Sequence, residues 1–235
     1  MQCDQFSKER RLALRRLLAA GTLGLAPLPA LIKTALAMGR YGYAQEMREV
    51  NGDVRLNSLP ARVGTPVNHG DVVATGTPGR AIFILGKAVF LVRENTRIEL
   101  PAKPEDTLKE KTGEVIRLAR GKVLAVLGKS RLRFITPTAV IGIRGTGLYL
   151  ETDSEKTYVC LCYGKATLRS AITGAVLEDI KTHYHDSPRY IYKSPTTKGQ
   201  LISRAPVINH TDAELILLES LVGRRPPFAG SGGNY

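Results

Sequence analysis

The chain has 235 residues, 43% of them hydrophobic, which is enough for a packed core and excludes disorder throughout. Tryptophan is absent, and 23 Gly with 13 Pro favour short strands and tight turns over long helices. The net charge is +13, but Lys and Arg mostly alternate with apolar residues and form no basic helix with interleaved aromatics, which speaks against a nucleic-acid reader.

Residues 8–16 (KERRLALRR) are basic, Leu17 to Ile32 are apolar, and Ala35-Leu36-Ala37 follows. That is the basic, apolar and small-residue order of an export signal. Arg15-Arg16 before Leu17-Leu18 is the pair expected of a twin-arginine signal, with Arg10-Arg11 less well placed. Gly21, Gly24, Pro27 and Pro29 interrupt the apolar stretch, which is short for a bilayer span. The expectation is cleavage after Ala37 and a periplasmic protein without a stable membrane span, with peripheral membrane association left open. An uncleaved N-terminal helix is the alternative. Without residues 1–37 the chain keeps 28 bases against 19 acids, a surplus of 9 that suits an anionic surface but names no partner.

From Glu46 to Lys181 short apolar runs are punctuated by glycines every eight to twelve residues, predicting one all-β domain, mainly an antiparallel sandwich or roll. Residues 81–85 and 88–92 flank Gly86-Lys87 and predict a hairpin of central strands. The polar segment Pro101 to Thr112 predicts an exposed loop. Leu132 and Phe134 alternate with Arg131 and Arg133, predicting one buried and one basic, wet strand face that would suit an anionic glycan.

Residues 182–235 form a C-terminal extension in which Thr211 and Glu214 make a capping box. Leu215, Leu218 and Val222 then recur at helical spacing, predicting a helix over 212–222 that ends at Gly223 and an extended or flexible tail from Arg224.

From Val67 to Leu168 the chain carries Gly70-Asp71, Thr75-Gly76, Ala81, Asn95-Thr96, Gly121-Lys122-Val123, Thr136-Pro137, Ile143-Arg144-Gly145-Thr146 and Tyr163-Gly164. In their order and spacing these residues resemble a FecR domain. The resemblance implies a β-rich, non-enzymatic periplasmic module used for protein contacts in envelope signalling or scaffolding. It covers about a hundred residues, and the sigma-factor-binding domain that usually accompanies the family has no counterpart in these residues.

Arg144-Gly145-Thr146 offers a guanidinium fork for an anion, but its favoured role is structural, at a tight turn made by Gly145 between two strands. Cys160 and Cys162 share one strand face, and counting by twos places Ala166 and Leu168 beside them, pointing inward as small apolar filler. The sharper alternative joins the two thiols to His183 and His185, which share one strand face if residues 182–186 are extended, as a zinc, iron or haem site. His185-Asp186 could instead be a carboxylate-oriented surface histidine.

No nucleophile elbow, phosphate-binding glycine loop or metalloprotease helix motif occurs, and Asp71, Glu94, Glu99 and Glu151 are scattered. The leading expectation is therefore a cofactor-free interaction module that contacts an envelope protein or anionic polymer through strand edges.

Overall fold

The computed structural model describes residues 43–102, 114–128 and 131–230. Arg15, Arg16, Ala35, Ala37, most of the charged loop and the last five residues lie outside the described residues, as do the side chains of Arg131 and Thr146.

The described chain is all-β with one short helix. Its strands are β1 (Met47–Leu56), β2 (Leu59–Pro60), β3 (Val72–Leu85), β4 (Ala88–Val92), β5 (Arg97–Glu99), β6 (Glu114–Val126), β7 (Arg131–Ile135), β8 (Ala139–Thr152), β9 (Lys156–Ser170), β10 (Val176–Thr182), β11 (Arg189–Tyr192) and β12 (Ile202–Arg204). All belong to one sheet in the order β12-β11-β9-β8-β7-β6-β4-β3-β1-β2. β10 lies on β9, and β5 sits between β3 and β6. Every pairing is antiparallel except β6 with β7. Long strands serve more than one neighbour: the first part of β6 runs beside β7, and its last part pairs with β8. β11 and β12 extend the same sheet, so the C-terminal extension shares its hydrogen bonding.

The hairpin forms as the spacing predicts, with Leu85 opposite Ala88 and Gly86 at φ +58°. All five residues of β4 are buried, which places apolar packing on both sides of the sheet. One side is the main core, built from residues such as Phe83, Phe90, Ile98, Phe134, Ile141, Leu150, Leu161 and Leu168. On the other side Ile82, Leu91, Leu124, Tyr149 and Cys160 form a cross-strand row, each directly opposite the next and each buried.

A C-terminal helix, α1 (Asp212–Ser220), covers β4 and β6. It opens with the expected capping box of Thr211 and Glu214, and Leu221 caps its end before Gly223 at φ +64°. Through Gly230 the tail is not extended but folded back on the domain. Arg224 binds Glu219 at 2.5 Å and the carbonyl of Lys87 at 2.7 Å, and Pro227–Gly230 form a 3₁₀ turn.

Arg144-Gly145-Thr146 is not a turn between strands but a bulge within β8. From Arg144 to Gly147 the strand advances three residues while β9 advances two, and from Gly147 to Leu148 β9 advances two against one. Gly145 and Gly164 supply the positive φ at this double irregularity. Its consequence is a change of face. Leu161 and Leu168 both reach the main core although they differ in parity, so counting by twos through Gly164 fails. Ala166 and Leu168 face the main core, whereas Cys160 and Cys162 are buried outside that cluster.

β7 is paired on both sides, and Arg133 is half-buried with its Nε removed from solvent, so the predicted wet basic face is partly closed.

At Gly147 an added Cβ would lie 2.5 Å from the Tyr163 ring, whereas at Gly142 its nearest neighbour would be 3.9 Å away. Denaturant unfolding is expected to show Gly147→Ala destabilised by about 1–3 kcal/mol and Gly142→Ala unchanged or slightly stabilised.

Candidate metal centre

Cys160 and Cys162 occupy alternate positions of β9, so their side chains leave the strand on the same side, and both are fully buried. The loop after β10 is pinned to this strand by the His185 amide, which donates to the Cys162 carbonyl at 3.1 Å. His185 has φ +42°, which breaks the extended register assumed for residues 182–186. As a result only His185 turns onto the sulfurs, while His183 is exposed.

The fourth group is His210, immediately before the N-cap of α1. Its ring stacks on Tyr149 at 4.7 Å and reaches the cluster through Nε2. The ligand atoms of Cys160, Cys162, His185 and His210 all lie within 4.8 Å of one another. Strand alternation over residues 182–186 would place His183 on the same face as His185. His210 is brought in only by tertiary packing, and its one local cue is its place at the mouth of a capped helix.

Hydrogen bonds orient both imidazoles. His185 Nε2 lies 3.1 Å from Asp212 Oδ1, and Asp212 Oδ2 also accepts from the Tyr184 hydroxyl at 2.7 Å. His210 Nδ1 lies 2.7 Å from the Ile208 carbonyl oxygen. Each of these contacts needs an N–H on the imidazole, which assigns the proton to the outward nitrogen of each neutral ring. The inward atoms, His185 Nδ1 and His210 Nε2, then face each other as lone pairs at 3.0 Å, with Cys160 Sγ 3.6 Å from His185 Nδ1. Such an arrangement needs a cation between its members, either a proton or a metal ion.

The spacing fits one ion. Tetrahedral zinc, with Zn–N near 2.0–2.1 Å and Zn–S near 2.3 Å, sets ligand atoms about 3.3–3.8 Å apart. An oxygen acceptor on the outer nitrogen of each ring, Asp212 for His185 and the Ile208 carbonyl for His210, completes the pattern usual for metal-bound histidine. The carboxylate that orients His185 is Asp212, not the adjacent Asp186, which is exposed.

The electrostatics agree with this chemistry. The Cys160 thiol is lowered to about 4, first by the hydrogen bond from Cys162 and then, against the cost of burial, by His185 and His210. Burial pushes Cys162 well up, and the neighbouring Cys160 charge adds to it. Burial pulls His185 down, but the Cys160 thiolate and the Asp212 carboxylate outweigh it and hold the imidazole above its usual value.

The other nominated residues do not converge. Arg144 is exposed in the β8 bulge. Asp71 accepts from Asn57 and the Asn68 amide, Glu99 pairs with Arg97, Glu151 accepts from Tyr149 and Asn209, and Glu94 is exposed.

No family model and no curated protein matches the chain, so the FecR resemblance is carried by its motif residues alone. Among solved structures, two crystal structures of a "putative anti-sigma factor" from Parabacteroides distasonis, at 1.65 and 2.50 Å resolution, are similar at 11% identity and a TM-score of 0.45. Each match covers 57% of this chain and 59% of that one. At that distance the likeness assigns neither activity nor partner.

In the metal-free protein, the far-ultraviolet absorbance of the Cys160 thiolate is expected to persist from neutral pH and to disappear as pH falls through about 4, and to be missing from Cys160→Ser. Because this folded-state value is depressed, its contribution to stability is complete above the ordinary thiol range and is lost on acidification through about 4. The raised His185 contributes with the opposite sign: its share is complete below the usual imidazole value and is lost as pH rises through the raised one.

Proposed function

We propose that this chain is an exported, non-enzymatic β-scaffold protein whose functional centre is a single thiophilic metal ion of the zinc class, held by Cys160, Cys162, His185 and His210. The observation that carries this reading is the pair of inward imidazole nitrogens 3.0 Å apart, each ring committed by its outer nitrogen to a protein acceptor, beside two buried sulfurs. Four protein donors would close the coordination sphere, and a closed sphere is the mark of a structural ion, since a catalytic zinc keeps a position open for water or substrate. The ion's contribution would thus be conformational, with Cys162 giving up its proton as it binds.

Export to the periplasm is proposed from the basic, apolar and small-residue order of residues 8–37. A role in envelope signalling or scaffolding is proposed from the motif residues that resemble a FecR domain. In that setting the ion-stabilised sheet serves as a contact surface for an envelope protein or an anionic polymer.

Protein recovered from the periplasm of a bacterium with an intact twin-arginine pathway is expected to begin near Met38 and to carry one equivalent of zinc. His210→Ala and the double change Cys160→Ser with Cys162→Ser should lose the metal, and His183→Ala should keep it. Metal analysis together with intact mass checks all of these. Retention of metal by His210→Ala with loss from His183→Ala would overturn the assignment.

A further inference from the structure

The four ligands come from three separate pieces of chain. Cys160 and Cys162 belong to the sheet, His185 to the loop after β10, and His210 to the segment that carries α1. Asp212, which orients His185, is the first residue of α1. The ion therefore sits at the junction between the sheet's second face and the segment that covers it.

Resting on the metal-site reading above, we infer that the ion is a clip holding residues 205–230 closed over this face, so that metal occupancy and the docking of α1 form one coupled equilibrium. α1 has nine residues, too few to be stable alone, so it exists only while docked. Its docking depends on the burial of Leu215, Leu218 and Val222 and on a small set of polar anchors. Arg93 donates to the Asn209 carbonyl and to Glu214, both at 2.8 Å, and so grips the residues on either side of His210 and Thr211. Tyr158 donates to the Pro206 carbonyl at 2.9 Å. Buried Glu219 accepts from Tyr163 and Arg224, each at 2.5 Å.

All of these contacts set the position of His210 relative to β9, and the ion sets the same position directly. By linkage, whatever loosens the segment must weaken the metal, and removal of the metal must loosen the segment by the same factor.

The test uses the full chain, with zinc as the metal and a competing chelator, and reads hydrogen exchange and zinc affinity together. Chelation is expected to speed amide exchange across α1 roughly tenfold or more while β8 and β9 stay protected. Neither Leu218 nor Arg93 is one of the four ligands, yet Leu218→Ala and Arg93→Gln are each expected to weaken zinc by roughly fivefold or more with one equivalent still bound. Protected β8 and β9 amides show that each variant has folded, and Arg93→Gln keeps the test available if Leu218→Ala does not. If zinc is bound stoichiometrically and removed without any change in α1 exchange, or if both folded variants bind it as tightly as the parent, the clip is wrong and the metal site stands. If the parent chain takes up no zinc, the metal-site reading fails and the clip fails with it.

Discussion

β4 is buried on both faces, and that constraint organises the molecule. A strand in this position needs apolar cover above and below. The sheet supplies one layer by closing on itself around Phe83, Phe90 and their neighbours. It cannot supply the other, because the row from Ile82 to Cys160 faces away from that core. The C-terminal segment meets the need, and in doing so it carries His210 and Asp212 over the two sulfurs. The candidate centre is thus a product of packing demand: the same apolar row that requires a lid also fixes where the lid's first residues must lie.

The lid is held by mixed forces. Burying Leu215, Leu218 and Val222 contributes on the order of 1.5–3 kcal/mol each, a gain opposed by about 1–2 kcal/mol of backbone entropy for every residue ordered. Specific polar contacts therefore decide the balance. Glu219 is nearly inaccessible, and its charge is tolerable only because Tyr163 and Arg224 share it. Phe228 brings the tail back against Tyr163 and Tyr184, so the chain beyond α1 is part of the cover.

Much of the fold was legible in the sequence because its signals are local. Apolar runs flanking Gly86-Lys87 can form a tight hairpin, and Thr211 with Glu214 can cap a helix, whatever the rest of the chain does. The site was legible by half. Alternation put Cys160 and Cys162 side by side and joined them to His185, but three non-local facts lay beyond it. The positive φ of His185 excludes His183. The irregularity at Gly164 redirects the strand, so Ala166 and Leu168 are not companions of the cysteines. His210 arrives from a helix mouth 48 residues after Cys162, a separation that no periodicity spans.

The double bulge where Arg144 to Gly147 meet Tyr163 and Gly164 also constrains how this protein can change length over evolution. Because it exchanges the two faces on both strands together, losing one residue from β8 alone would turn half of that strand inside out against an unaltered β9. Insertions and deletions in this stretch can survive only as compensating pairs, one on each strand, while the loops a few residues away remain free to lengthen or shorten one residue at a time.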